Sequence, residues 1–143
     1  MRLEVFALTA LLIGCATVPP PTPVRVSTDA FLTQRGVLTI RGRQFPLTGY
    51  LALSEHDGIR LIMTHTLGQV LADVLIKPDG AMHVMRPSPV LRREWIERFV
   101  AADLRRFAES GTLTFRDRHH TLELRTVETK PGPQPASLFE VPR

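Results

Sequence analysis

Cys15 carries the only thiol in the 143-residue sequence, and it ends a short apolar run. Arg2 precedes the run, which extends from Val5 to Ile13 and is interrupted only by Thr9. Gly14 then supplies the narrow side chain that a peptidase needs beside its cleavage site. This order of features is typical of a cleaved secretory signal. The run is far shorter than the ~20 apolar residues of a membrane-spanning helix, so we expect cleavage rather than a permanent transmembrane anchor.

The four residues Leu12-Ile13-Gly14-Cys15 resemble the lipobox of bacterial lipoproteins. The resemblance implies that the Cys15 thiol is alkylated with diacylglycerol, that the chain is cut just before it, and that the new amino terminus is acylated, for example with palmitate. Each buried methylene of such an anchor stabilises membrane attachment by ~0.8 kcal/mol, so three acyl chains make attachment practically permanent. The alternative is a signal-peptide cysteine without any chemistry.

Side chains that could act as a nucleophile or as an acid and base do not form a recognised catalytic arrangement. Ser54, His56 and Asp57 are close in sequence, but they occupy a predicted turn without the Gly-x-Ser-x-Gly elbow of a serine nucleophile. Glu94 and Glu97 lie among arginines on a predicted helix and are typical of surface ion pairs. We therefore expect that the protein is not an enzyme.

The histidines do not predict a metal centre. His119 and His120 are adjacent, so on a strand they point to opposite faces and cannot bind one ion together. Asp117 and His119 share a face but supply only two ligands, and a solvated hairpin tip is the alternative interpretation. We expect neither a bound metal nor a cofactor.

Composition limits the remaining possibilities. Removal of residues 1–14 leaves a chain the size of one domain, with no thiol for a disulfide or a cysteine-ligated metal once Cys15 is lipidated. The net charge of +4 is compatible with nearby anionic lipid as well as with nucleic acid. Because an exported, membrane-anchored chain rarely meets nucleic acid, we do not expect that partner.

Apolar residues alternate with polar ones through much of the chain, which is typical of half-buried strands. Asp57-Gly58 and Asp79-Gly80 separate apolar runs and favour tight hairpin turns. A meander of about five antiparallel strands is predicted over residues 36–86, and a final hairpin turns through residues 117–120. The predicted strands are 37–41, 45–54, 59–66, 69–76, 81–85, 112–116 and 121–125.

The periodicity changes after Ser88-Pro89, which is a favourable helix start. Apolar residues then recur at three- and four-residue spacing, which predicts one amphipathic helix over residues 89–109 that Gly111 ends. The predicted fold class is α+β, with an open antiparallel β half-barrel of about seven strands wrapped on this helix. The predicted boundaries are a signal peptide (1–14), a lipidated Cys15 with a Pro-rich tether (15–29), the half-barrel domain (30–129) and a flexible tail (130–143).

Apolar residues on the concave face of the predicted sheet and on the helix stripe have two interpretations. They can form an ordinary packed core, or they can line a cavity that accommodates acyl chains, since ligand pockets are mostly apolar and concave. The candidate cavity-lining residues are Leu38, Ile40, Leu47, Leu51, Leu61, Met63, Val74, Trp95, Phe99 and Val100.

Residues 33–86 resemble the outer-membrane lipoprotein localisation factors, the Lol family. Arg35-Gly36-Val37-Leu38-Thr39-Ile40-Arg41 is similar to the opening strand of that family, and Leu67-Gly68-Gln69-Val70-Leu71-Ala72 is similar to its Leu-Gly segment. The segments 47–53 and 58–63 and the pair Asp79-Gly80 also match that family, whereas the rest of the chain agrees only in layout. The resemblance implies an open β-barrel with an apolar cavity. Small proteobacterial lipoproteins with the same barrel are a second group that the sequence resembles.

The resemblance implies a membrane-anchored lipoprotein that binds acyl chains of a lipoprotein or another lipid and helps to place this cargo in the outer membrane, facing the periplasm. Ala16, directly after the cysteine, is compatible with outer-membrane sorting. Implied partners are the membrane, acylated cargo and a periplasmic carrier. The alternative function is a structural or assembly lipoprotein that acts through protein–protein contacts and has a fully packed interior.

Overall fold

The computed structural model describes residues 21–110, 113–116 and 118–143. Within these residues, seven antiparallel strands form a sheet that curls as a half-barrel around one helix, which confirms the predicted α+β fold class. The sheet order is β5-β4-β3-β2-β1-β7-β6. The strands are β1 (Ala30–Ile40), β2 (Arg43–Ser54), β3 (Gly58–His65), β4 (Val70–Ile76), β5 (Met82–Val84), β6 (Leu113–Arg116) and β7 (His120–Pro131).

The helix, α1, consists of three consecutive segments: Arg93–Trp95, Ile96–Val100 and Ala101–Ser110. The middle segment is a π-helix, in which the Ala101 N–H donates to the Ile96 carbonyl. Such wide turns are rare, and neither the apolar spacing nor the composition of the sequence predicted this one. A short 3-10 turn, Ala136–Phe139, follows β7 near the end of the chain.

The turns between strands define two ends of the half-barrel. Because successive strands are antiparallel, the β1–β2 and β3–β4 turns lie at one end, here named the upper end, and the β2–β3 and β4–β5 turns lie at the lower end. α1 runs from upper to lower end. The Trp95 ring lies 4.8 Å from the His120 ring at the start of β7, and Arg105 Nη2 donates to the Gly80 carbonyl of the β4–β5 turn at 3.0 Å.

The alternation predicted for β2 places its apolar residues on the concave face of the sheet. Leu47 and Leu51 are buried there, whereas Tyr50 on the convex face is exposed. Ile96 and Leu104 of α1 fill the concave face and have no exposed surface. Each such side chain stabilises the fold by roughly 1.5–3 kcal/mol, so packing of α1 against the sheet holds the half-barrel together.

α1 begins later than the sequence predicted. Ser88 Oγ accepts the Leu91 N–H at 2.9 Å, as a capping hydroxyl does, but Arg92 is extended with φ −67° and ψ 144°. The turn after Ser88 therefore stays separate from the helix, which begins at Arg93 instead of Pro89. The extended residue leaves a loop between β5 and α1.

The first strand is longer than predicted. β1 begins at Ala30 and contributes buried Ala30 and Leu32 to the concave face. The sequence concealed this part of β1 because Gln34, a polar residue, continues the buried face and interrupts the apolar alternation. Gln34 is only 1% exposed and lies opposite Gly49, whose missing side chain leaves room for the amide.

The N-terminal segment lies on the domain from its first described residues, although the sequence assigned residues 15–29 to a tether. Val24 joins the core, and its N–H donates to the Pro78 carbonyl at 3.0 Å. Gly80, with φ +88°, leaves room for the Thr22 carbonyl, which lies 2.0 Å from the position of a Cβ. The segment docks because apolar Val24 covers the lower end of the core.

The C-terminal segment is also docked in part, although the sequence assigned residues 130–143 to a flexible tail. Phe139 is 1% exposed and packs with Ala52 and Leu75 on the convex face of the sheet. Arg60 Nη1 donates to the Leu138 carbonyl at 2.8 Å. An apolar patch and cationic donors on the convex face thus hold this segment in place.

Some predictions concern parts of the chain that lie outside the described residues. They are the signal peptide (1–14), lipidated Cys15, the first residues of the tether, Gly111 as the end of the helix, Asp117 as a ligand, and the side chain of Phe99 as a cavity-lining group.

Candidate functional site

The predicted cavity-lining residues meet in one hydrophobic core. Leu38, Leu47, Leu51, Leu61, Met63, Val74, Trp95 and Val100 belong to a single cluster, and Ile40 is partly buried against it. Six of these side chains have no exposed surface: Leu38, Leu51, Leu61, Met63, Val74 and Val100. A side chain without accessible surface faces no space large enough for a water molecule. The structure therefore brings these residues together but leaves no open cavity at those six positions.

An open cleft does occur beside this core, between β5, the β5–α1 loop and the first turns of α1. Its volume is about 520 Å³ and it is lined by residues 84–94 and Ile96. This volume lies within the range of small-molecule sites. Leu91 and Ile96 belong to the core and lie buried beneath the cleft, whereas Val84 is partly buried and Val90 is 39% exposed, so these two valines supply its accessible apolar surface. The late start of α1 creates this cleft, because the extended loop is not filled by a helical turn.

Three arginines surround the cleft: Arg86, Arg92 and Arg93. Arg93 Nε lies 2.7 Å from Glu97 Oε1, an exposed pair one helical turn apart, so the predicted surface pairing of Glu97 is confirmed. Glu94 is the one carboxylate among the lining residues. The cleft therefore combines an apolar floor with a rim of net positive charge.

Arg86 belongs to an ion-pair network that extends onto the convex face. Asp73, with no exposed surface, accepts hydrogen bonds from Arg60 Nε and Nη2, each at 3.0 Å. Arg86 Nε lies 3.4 Å from the same carboxylate. The Met85 N–H also donates to the Asp73 carbonyl at 2.8 Å, which fixes the chain beside Arg86. The network thus joins the rim of the cleft to the sheet.

Sequence reasoning missed this network. Arg60 and Asp73 lie on adjacent strands β3 and β4, where Arg60 pairs with Leu75 and Asp73 pairs with Ile62. Opposite charges on the same face of a predicted hairpin were a signal that could have identified the pair. Arg86 gave no such signal, because it follows β5 in a loop whose path depends on tertiary packing.

The upper end of the half-barrel presents one strongly exposed apolar side chain. Leu67 in the β3–β4 turn is 88% exposed, the largest value among the large hydrophobic residues of the described ranges. Arg41 and Arg43 flank the neighbouring β1–β2 turn and are both exposed. The Arg41 N–H donates to the His119 carbonyl at 2.9 Å, so the β1–β2 and β6–β7 turns lie side by side.

The serine, histidine and aspartate near the β2–β3 turn have a structural role. Ser54 is buried, its hydroxyl donates to Asp57 Oδ2 at 3.2 Å, and it accepts the Asp57 N–H at 3.1 Å. His56 is exposed at the turn. Across residues 21–110, 113–116 and 118–143, no group of three potential metal ligands occurs.

Asp103 is a buried carboxylate on the inner side of α1. Burial raises its pKa from the ordinary value of 3.8 to about 6, although Arg106 and the backbone of Thr114 lower it. Arg106 Nη2 donates to Asp103 Oδ1 at 2.7 Å, whereas Oδ2 is buried without a hydrogen-bond partner. The side chain lies at the α1–β6 contact rather than in the cleft.

None of the helices in the described part of the chain combines the length and apolar character needed to cross a membrane. No protein-family model, no curated protein and no solved structure matches the chain.

Proposed function

We propose that the protein is an outer-membrane lipoprotein whose periplasm-facing domain binds acyl chains of lipid or lipoprotein cargo and helps to place that cargo in the membrane. Diacylglycerol and palmitate on Cys15 anchor it, and a periplasmic carrier delivers the cargo. No covalent chemistry takes place on the domain. The resemblance of residues 33–86 to the Lol family and the lipobox-like sequence at Cys15 support this proposal.

The observation that carries the proposal is the cleft beside α1. Its floor is continuous with the hydrophobic core through Leu91 and Ile96, and it opens to solvent at the β5–α1 loop. An acyl chain in contact with Val84 and Val90, the accessible apolar side chains above this floor, removes apolar surface from water, which is worth about 25 cal/mol per Å². The site of binding is therefore the cleft, because the positions between sheet and helix are already filled by side chains.

The exposed tip at the upper end supports contact with a lipid surface. Leu67 projects from a turn and makes no contribution to the core, and exposed arginines lie in the neighbouring turn. An apolar side chain together with arginines favours the interface of an anionic bilayer. The α1 start and the β3–β4 turn share this end of the half-barrel, so cargo and membrane can meet there.

A second function, assembly through protein–protein contacts, is favoured by the filled interior. β6 pairs with β7 only as far as Leu124, and residues 125–131 of β7 are exposed beyond that point. Val127 in this stretch is 48% exposed. A strand whose edge has no neighbour among the described strands can pair with a strand of another protein.

A pair of matched tryptophan substitutions separates the two functions. Val90→Trp adds an indole at an exposed position of the cleft, and Val127→Trp adds the same group on β7, away from the cleft. We expect Val90→Trp to weaken binding of dansyl-labelled undecanoic acid by about tenfold, which is ~1.4 kcal/mol. Val127→Trp should leave the affinity unchanged. Fluorescence titration of the purified protein measures both.

Native mass spectrometry of the same protein gives an independent result. Co-purified acyl species that Val90→Trp removes would support lipid binding. A clean mass without acyl species, combined with no uptake of the dansyl probe, would contradict it and leave the assembly function. Substitution of interior residues such as Leu51 is a poor test, because a tryptophan there overfills a packed core and destabilises the protein.

A further inference from the structure

The arginines at the rim of the cleft are not equally neutralised. Arg93 is paired with Glu97 at 2.7 Å, whereas Arg92 makes no side-chain ion pair with a described residue. Arg86 contacts Asp73, but Arg60 already neutralises that carboxylate through two hydrogen bonds of 3.0 Å. Two guanidinium groups thus share one carboxylate, so this network leaves one uncompensated positive charge at the edge of the cleft in addition to that of Arg92.

The positive charge on Arg86 is accessible to a ligand. Its side chain is 61% exposed, whereas the Arg60 side chain is 13% exposed and Asp73 is fully buried. The weak 3.4 Å contact with Asp73 leaves most donors of the Arg86 guanidinium free for other acceptors. The bond between the Met85 N–H and the Asp73 carbonyl holds the backbone beside Arg86 in place.

We infer that the cleft selects amphiphiles with an anionic head group, a phosphate monoester or a carboxylate, and that Arg86 is the residue that determines this preference. The inference rests on the proposed function and specifies its ligand class. The acyl chain contacts Val84 and Val90, the accessible apolar side chains of the cleft, while the head group accepts hydrogen bonds from Arg86. Planar guanidinium groups bind such anions through two parallel hydrogen bonds, which are about twice as strong as those between neutral groups.

Three probes with the same dodecyl chain and a fourth without a chain test the inference. Isothermal titration of the purified protein compares dodecyl phosphate, dodecyl maltoside and dodecyltrimethylammonium below their micelle concentrations, together with inorganic phosphate. We expect dodecyl phosphate to bind about tenfold more tightly than dodecyl maltoside and dodecyltrimethylammonium to bind most weakly. Inorganic phosphate should bind at least about tenfold more weakly than dodecyl phosphate, because it lacks the chain.

Variants at Arg86 assign the preference to that residue. Arg86→Gln should abolish the advantage of dodecyl phosphate while leaving the affinity for dodecyl maltoside unchanged, which also shows that the cleft remains folded. Arg86→Lys should restore part of the advantage, because it keeps the charge but loses the planar fork. The control is Arg118→Gln, which removes an exposed arginine in the β6–β7 turn and should have no effect.

The other outcomes overturn the inference in distinct ways. Equal affinities for dodecyl phosphate and dodecyl maltoside would contradict head-group selection and leave acyl-chain binding intact. An equal loss in Arg86→Gln and Arg118→Gln would mean that overall charge, not Arg86, sets the preference. If inorganic phosphate bound as tightly as dodecyl phosphate, the ligand would be an anion and not an amphiphile. If no dodecyl compound bound, both this inference and the proposed function would be wrong.

Discussion

Asp103 shows how one residue makes the stability of the fold depend on pH. Its side chain is 4% exposed, and burial raises the pKa to about 6. The unfolded chain releases this proton near the ordinary value of 3.8, so between these two values the folded protein retains a proton that the unfolded protein has lost. The contribution of Asp103 is therefore fully favourable below pH ~4, decreases as the pH rises to about 6, and is constant above that.

We predict that Asp103→Asn removes this pH dependence. The difference in free energy of unfolding between the variant and the unsubstituted protein should change by about 2–3 kcal/mol in favour of the variant as the pH rises from 4 to 7, since one pKa unit corresponds to ~1.4 kcal/mol. Urea denaturation at the two pH values measures the difference. Glu140→Gln, at an exposed carboxylate, is the control. Parallel stability profiles for the Asp103→Asn variant and the unsubstituted protein would contradict the prediction.

Among the elements, the C-terminal segment contributes more to the stability of the fold than its proline- and glycine-rich composition suggests. Its 3-10 turn covers Ala52 and Leu75 on the convex face, and its carbonyls accept hydrogen bonds from Arg60 and Lys77. The buried Arg60–Asp73 pair lies beside this turn, where water is largely excluded. Because a buried ion pair stabilises a fold only when its remaining donors are satisfied, the carbonyl of Leu138 completes the network.

We predict that Phe139→Ala destabilises the protein by about 3 kcal/mol, the usual scale for loss of a buried aromatic side chain. Val141→Ala is the matched control, because Val141 is 40% exposed two residues further along and should change stability by less than about 0.5 kcal/mol. Guanidinium denaturation monitored by circular dichroism gives both values. Equal effects of the two substitutions would mean that the C-terminal turn does not stabilise the sheet.

Elements governed by local pattern could be predicted from the sequence, and elements governed by distant contacts could not. Alternation in β2, β3 and β4 and the Asp-Gly turns set the meander, and apolar spacing from Trp95 to Phe107 set the helix. The start of α1 could not be predicted, because extended Arg92 separates a well-capped turn from the helix. The cleft lies at that interruption in the helix. The sequence therefore predicted an apolar site, but it assigned the site to side chains between sheet and helix that pack together as the core.

At the scale of the whole molecule, both described ends of the chain reach the lower end of the half-barrel. The N-terminal segment contacts the β4–β5 turn through Val24 and Pro78, and β7 ends opposite the first residue of β1. The Gly132 N–H donates to the Asp29 carbonyl at 3.0 Å, which joins the two segments. The cleft and the start of α1 lie toward the opposite end.

Gly80 and Gly68 have similar positive φ angles, so substitution by alanine strains the backbone equally at both positions and the docking of the N-terminal segment can be tested by comparing them. Gly80 has φ +88° and Gly68 has φ +82°, but a Cβ at Gly80 would lie 2.0 Å from the Thr22 carbonyl, while a Cβ at Gly68 would meet nothing within 4 Å. We predict that Gly80→Ala releases the N-terminal segment and Gly68→Ala does not. Hydrogen exchange at the Val24 amide should accelerate at least about tenfold only in Gly80→Ala.

Similar exchange of the Val24 amide in both variants would contradict this prediction. Backbone strain alone costs each variant roughly 1 kcal/mol, so the loss of global stability that they share is not evidence of release. The site-specific amide signal separates the two effects, because only Gly80 lies against the N-terminal segment.

The docking of Val24 limits how far the domain could lie from the proposed lipid anchor. If the proposed lipid anchor at Cys15 is present, six peptide units separate it from Pro21, the first residue that lies against Gly80, and six peptide units span about 20 Å at most. A chain free as far as β1 would reach more than twice that distance. Docking of this short N-terminal segment thus shortens, by more than half, the distance that the proposed anchor would allow between the domain and the lipid.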